Sequence, residues 1–318
     1  MWHCSRGAAR IDPGLRERRS TATAFHKSHD YLSRRLQPVR TREGQPTLRG
    51  GVTSRGLKLA ARVATRHSTV ANLQSTIWNE NPAFYGWTPQ VKIPRALHSW
   101  SVTPRRAVAI QRELAGRIIR RGHLPVAGEL RLLAGADVAF SPDMNECIAG
   151  VVVWEVQGGR LVEQHVIRRP VRFPYVPGLL SFREAPAVLA ALRKLRCEPD
   201  AFLFDGQGLA HPRRFGLACH VGLLIDRPSV GCAKSLLVGK CMTPGVARGS
   251  RTRIEHDGEC IGMAVRTRDN VKPVYVSIGH RLSLKAAVAA VLAGGGGYRI
   301  PEPTRLADRL VAREKVRA

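Results

Sequence analysis

Between residues 131 and 170 three apolar runs follow one another with only short polar breaks: RLLAGADVAF, CIAGVVVWEV and RLVEQHVIRR. Runs this short, rich in valine and isoleucine, read as strands, and the QGGR turn between the last two makes them a hairpin. After a proline-rich loop, PVRFPYVPG, the pattern changes to alternation. SFREAPAVLAALRKL is expected to be a helix with Ser181 as N-cap and Glu184 at its third position, a capping-box layout. AFLFD is a short buried strand, RRFGLACHVGLLI a helix and PSVGCA a strand; IGMAVRT and PVYVSIGH are two more strands. SLKAAVAAVLA is a helix stopped by four glycines, and a last helix starts near PTRLADRL. Ahead of the first strand, TPRRAVAIQRELAGRIIRRG is expected to form an amphipathic helix over 104–121, capped by Thr103, opened by Pro104 and ended by Gly122. Antiparallel strands followed by helices and strands in turn predict an α/β fold, a mixed sheet flanked by helices.

The first 90 residues differ from the rest. They are rich in Arg, Ser, Thr and Gly and lack sustained apolar periodicity, so they are expected to be a disordered basic N-terminal extension, with residues 91–318 as one catalytic domain. An inert extension outweighs the alternative of an organelle transit peptide. The chain of 318 residues carries 51 Lys/Arg against 24 Asp/Glu, a formal charge of +27. Residues 1–90 hold only 15 of the basic and 5 of the acidic residues, so the remainder is basic too and is drawn to polyanions, nucleic acid first among them. Seven cysteines without a C-x-x-C pair argue against a disulfide framework or a zinc ribbon and fit a reducing, cytoplasmic setting. No apolar run is long enough to span a membrane, and a membrane partner is not expected.

Three carboxylates stand where carboxylates are costly. Asp137 lies inside a strand apolar on both sides, and Asp205 ends AFLF at the carboxyl end of a strand, where open α/β sheets carry their chemistry. Each has an ordinary alternative, a strand bend for Asp137 and an Asp-Gly turn for Asp205; Glu184 has the capping box. Together on one sheet, two aspartates suit a divalent cation: Mg²⁺ takes oxygen ligands from one or two carboxylates and phosphates. Arg213 and Arg214 are either a solvated helix start or placed to meet phosphates, with His211 in reach; two cations at a helix start oppose the helix dipole, which favours the ligand. Tyr175, between prolines in FPYVPG, either packs on the core or stacks on a base from a stiffened tip.

GADVAF, PYVPGLLSFREAP, FDGQGLAHPRRFGLACHVG, GCAK, SIGHRLSL and GYRIPEPTRLAD, in this order, resemble the endonuclease V family of deoxyinosine 3′-endonucleases. The resemblance implies a ribonuclease-H-like fold. It implies Asp137 and Asp205 as metal-binding aspartates, Glu184 as the third acidic residue of that set, and Tyr175 as the tyrosine of a strand-separating wedge. It also implies His211 and Lys234 as active-site residues near the metal and the scissile phosphate. Mg²⁺, with Mn²⁺ as substitute, is the implied cofactor. The implied substrate is DNA containing deaminated bases, chiefly hypoxanthine, with inosine-containing RNA for some members. The cut falls at the second phosphodiester bond 3′ to the lesion and leaves a 3′-hydroxyl and a 5′-phosphate, and the enzyme is expected to act as a monomer. A non-catalytic nucleic-acid-binding protein on this fold would not need three convergent carboxylates. The PYVPG and FDGQGLAHPRR segments separate the chain from RNA–DNA hybrid nucleases and resolvases.

Overall fold

The computed structural model describes residues 91, 93, 97–125 and 129–316. The expected basic extension, residues 1–90, lies outside the described residues. Eight strands form one sheet: β1 (Leu132–Phe140), β2 (Glu146–Glu155), β3 (Arg160–Pro170), β4 (Ala201–Phe204), β5 (Ser229–Ala233), β6 (Arg251–His256), β7 (Glu259–Val265) and β8 (Val274–His280). Their order across the sheet is β3-β2-β1-β4-β5-β8-β7-β6. β1, β4 and β5 run parallel at the centre, and antiparallel strands extend the sheet on both sides. The helices are α1 (Pro104–Ala115), α2 (Leu180–Leu192), α3 (Leu217–Ile225), α4 (Leu284–Ala293) and α5 (Glu302–Val316).

Period-two alternation divides the core. Ala134 and Ala136 of β1 and Phe202 and Phe204 of β4 pack with α2 and α3, whereas Leu133 of β1 and Leu203 of β4 face the cluster that holds α4. α5 lies across β1 and β2, and its Ala307 and Leu310 pack on Val152. Gly135 makes that seat possible: a Cβ there would run into the backbone of Pro303 and Thr304.

Four local expectations are corrected. α1 stops at Ala115 rather than 121, because Gly116 caps it and the chain leaves the helix; the Ile119 amide donates to Nδ1 of His280 at the end of β8. Ser181 is not an N-cap. α2 begins at Leu180 without a side-chain cap, and the Ser181 hydroxyl is engaged with Nδ1 of His220 at 2.9 Å. α3 begins at Leu217, not at the arginine pair: Gly216 is extended, and its amide returns to Gly208. β6 was not expected at all; it pairs with β7 through a turn at Asp257-Gly258, both at positive φ, the geometry of a two-residue hairpin. Six described cysteines are free, four of them buried, and no described helix is long and apolar enough to cross a membrane.

Candidate active site

Parallel register brings the two aspartates together. Ala136 of β1 sits opposite Phe204 of β4, and the Asp205 amide donates to the Ala136 carbonyl at 3.3 Å. The next residues, Asp137 inside β1 and Asp205 just past the carboxyl end of β4, are therefore side by side on two central strands. By alternation both fall on the face away from α2 and α3, the face that α5 covers. Two further carboxylates approach. Glu184 on α2 is buried, with Asp137 and Asp205 close enough to repel it. Asp308 on α5 shares a hydrogen bond with Asp137.

The electrostatic consequence is large. Burial, then the neighbouring Asp205 charge, pushes the Asp137 carboxyl up to about 8. Burial, then Asp137 and Asp205, does the same to Glu184, also to about 8. Burial and like charge act in the same direction on both carboxyls, which makes this cluster the candidate site. Lys234, just past β5, relieves it in part: its Nζ stands 2.5 Å from Oδ2 of Asp205 and 3.7 Å from Oδ1 of Asp308. Burial works against the ammonium, but the hydrogen bond and charge of Asp205 win and hold its pKa above the ordinary value. Gln207 ties the strand ends to each other, its Nε2 donating to the Ser235 carbonyl at 2.9 Å.

Asp137, Glu184, Asp205 and Lys234 are thus gathered in one place, with Asp308 as a member that the sequence reading missed. α2 has no side-chain cap, and the charges that Glu184 feels are those of Asp137, Asp205 and Arg183. The donor set is all carboxylate oxygen, the hard chemistry that suits Mg²⁺. Among the described residues no three His, Cys, Asp or Glu side chains are placed to hold a metal ion as they stand, and the Lys234 ammonium lies between Asp205 and Asp308.

The remaining candidates lie in the adjoining loops. Tyr175 is 73 % exposed on the loop between β3 and α2, so it is not a core side chain, while Phe173 and Leu179 bury the two ends of that loop. His211 is buried. Its Nδ1 accepts the Arg213 amide (3.2 Å), so Nε2 carries the proton and donates to the Gly178 carbonyl at 3.0 Å. Burial, then Arg213, lowers its pKa to about 4 and keeps the ring neutral. Arg213 also reaches Gly178, and burial followed by the charge of Arg112 lowers its pKa. Arg214 faces elsewhere: Nε is 2.8 Å from Glu259, and Nη2 bonds the His256 carbonyl. The two arginines are therefore not a pair facing one ligand.

The sequence profile of the family described as Endonuclease V matches residues 112–309. The endonuclease V of Roseiflexus castenholzii is 47% identical over 223 residues, 70% of this chain and 98% of that protein. The crystal structure of endonuclease V from Streptomyces avermitilis is 42% identical with a TM-score of 0.66, covering 72% of this chain and all of that one. The endonuclease V of Ciona intestinalis, solved with a 23mer DNA containing an inosine followed by a ribo-adenosine, is 28% identical with a TM-score of 0.59, covering 68% of this chain and 99% of that one. A ribonuclease-H-like sheet, a carboxylate cluster where β1 passes the end of β4, and matches that run through all of these elements lead to one conclusion: the chain belongs to the endonuclease V family and is an endonuclease.

Proposed function

We propose that this endonuclease nicks nucleic acid at deaminated bases, hypoxanthine first among them, by metal-dependent hydrolysis of the second phosphodiester bond 3′ to the lesion, leaving a 3′-hydroxyl and a 5′-phosphate. A role in DNA repair follows from that substrate. The observation that carries the reading is the gathering of Asp137, Glu184, Asp205 and Asp308 around Lys234. Binding alone gives no reason to crowd four carboxylates toward a polyanion. Asp137 and Asp205, with Glu184 and Asp308 beside them, would hold Mg²⁺, with Mn²⁺ as substitute. A divalent cation supplies water activation and neutralises charge on the phosphate.

The chain's own groups do the rest. Glu184, raised to about 8, keeps a proton near neutrality and supplies a full acceptor only when positive charge arrives. Lys234 is half exposed, with its ammonium beside the cluster, in position to receive a phosphate oxygen. Arg105, Arg106 and Arg112 on the exposed side of α1 and Arg213 behind them provide a basic track. Tyr175, exposed between Pro174 and Pro177, offers a ring for stacking beside the flipped or unpaired base. His211, with both nitrogens engaged, serves as a holder of the Tyr175 loop rather than as a proton carrier.

One observation favours a second reading, an endoribonuclease for inosine-containing RNA: the DNA in the Ciona intestinalis complex carries a ribo-adenosine after the inosine. The deciding experiment incubates the protein with four end-labelled oligonucleotides, with deoxyadenosine or ribo-adenosine after inosine and with the matching undamaged strands, with Mg²⁺ or with EDTA. A Mg²⁺-dependent nick at the second bond in inosine strands supports the proposal, and the sugar preference separates the two readings. Equal cutting of undamaged strands, or cutting in EDTA, overturns it.

A further inference from the structure

α1 presents Ala107, Ile110 and Leu114 to the core, and in the same row stands a glutamine, Gln111, only 1% exposed. A buried amide is costly unless its hydrogen-bonding groups are used. All of Gln111's are. Its Nε2 donates to the carbonyls of Gly178 (3.0 Å) and Phe215 (3.1 Å), and its Oε1 accepts from Nε of Arg213 at 2.5 Å. The Gly178 carbonyl receives three donors in all: Gln111, His211 at 3.0 Å and Arg213 at 2.6 Å. Gly178 has φ +76 and closes the Tyr175 loop, and a Cβ there would stand 2.7 Å from Nη2 of Arg213. At the loop's other end the Phe173 carbonyl accepts Nη1 of Arg183 at 3.0 Å, next to Glu184.

We propose that Gln111 is a positioning residue for strand separation, fixing the Gly178 end of the loop so that Tyr175 stands at one angle to the carboxylate cluster. Gln111 touches no substrate; it acts through Gly178, His211 and Arg213. The inference rests on the reading of Tyr175 as a wedge: a tip stiff only through its prolines would still swing on its two ends.

The test is a double-mutant cycle on inosine-containing duplex and single strand, using the full chain at temperatures well below each variant's melting point. Gln111→Leu removes the bonds at nearly constant volume, and Gly178→Ala breaks the same junction from the other side. Each is expected to lower duplex cutting about tenfold, leave single-strand cutting within twofold, and cost nothing further in a Tyr175→Ala background. Losses that multiply with Tyr175→Ala, or that are equal on single strands, overturn the proposal. If Gln111→Leu does not fold, the Gly178→Ala arm decides by the same criteria. Wild-type duplex cutting by Tyr175→Ala itself removes the wedge and this inference with it. An impaired Tyr175→Ala beside an unimpaired Gln111→Leu and Gly178→Ala removes the inference alone.

Discussion

Asp137→Asn should make the metal-free protein more stable while abolishing its nuclease activity. The folded protein holds the Asp137 carboxyl at about 8 because burial and the Asp205 charge oppose ionisation. An unfolded aspartate titrates near 4. Below pH 4 both states carry the proton and the residue costs nothing. Above it the unfolded chain releases the proton first, so native stability falls steadily until pH about 8. One pKa unit corresponds to about 1.4 kcal/mol, and roughly four units would give ~5 kcal/mol for an isolated group. Part of that repulsion is shared with Glu184 and part is relieved by Lys234, so we assign ~2–3 kcal/mol to the substitution. For a domain of about 200 residues this is a rise in Tm of ~5–10 °C. The assay is thermal unfolding of wild type and Asp137→Asn in EDTA at pH 8.5 and at pH 5. The variant should melt higher at pH 8.5, with the gap closing at pH 5. Mg²⁺ should raise the wild-type Tm and leave the variant's nearly unchanged, because cation binding to carboxylates competes with their protons. A gap of equal size at both pH values, or a variant less stable than wild type at pH 8.5, would refute the reasoning.

Asp308→Ala should retain the fold and lose at least a hundredfold in Mg²⁺-dependent nicking; cutting within threefold of wild type would remove Asp308 from the site. Gly135→Val should displace α5, since even a Cβ meets the Pro303 backbone, and it should lower stability by ~3 kcal/mol or more, visible as a shifted denaturant midpoint; an unchanged midpoint would disprove the close approach. His98, His220 and Ser181 form a chain of hydrogen bonds that both rings satisfy while neutral, 2.7 Å between the imidazoles and 2.9 Å to the hydroxyl. Burial holds both histidines below their ordinary value, His220 far below. Their stability is complete above pH 6.5 and is lost as pH falls beneath it, the reverse of Asp137. His220→Gln should flatten the fall in Tm between pH 6.5 and 5, and an unchanged slope would count against the chain.

What was legible in the sequence is what is costly locally. Asp137 and Asp205 announce themselves because a carboxylate among apolar strand residues demands an explanation, and folding sets the two side by side. Their partners are harder to see. Ser181 and Glu184 satisfy a capping pattern to the letter, yet the serine hydroxyl is taken by His220, which is 39 residues away, and the helix starts without it. Arg213 and Arg214 look like a pair. A left-handed backbone at Arg214 (φ 55) sends one toward Glu259 and the other toward Gly178. β6 is masked by its charges, because RTRIEH is an edge strand with only Ile254 buried, although the Asp257-Gly258 turn beside it was a readable sign.

Asp308 is the instructive omission. In PTRLADRLVARE an aspartate among arginines is indistinguishable from any solvated helix face. No local cost marks it, and its role arises only because α5 lies on β1 and β2. The trace of that contact is on the strands, not on the helix. Gly135 in β1 and Gly150 in β2 interrupt runs of larger residues, and a side chain at either would strike α5, at Pro303 in one case and at Val311 and Ala307 in the other. Glycine in a strand interior marks the close approach of another backbone. Gly135 stands two residues before Asp137, so it shares that residue's face. A helix pressed against Gly135 must pass the Asp137 carboxylate one turn later, and an acidic side chain there is the residue to seek.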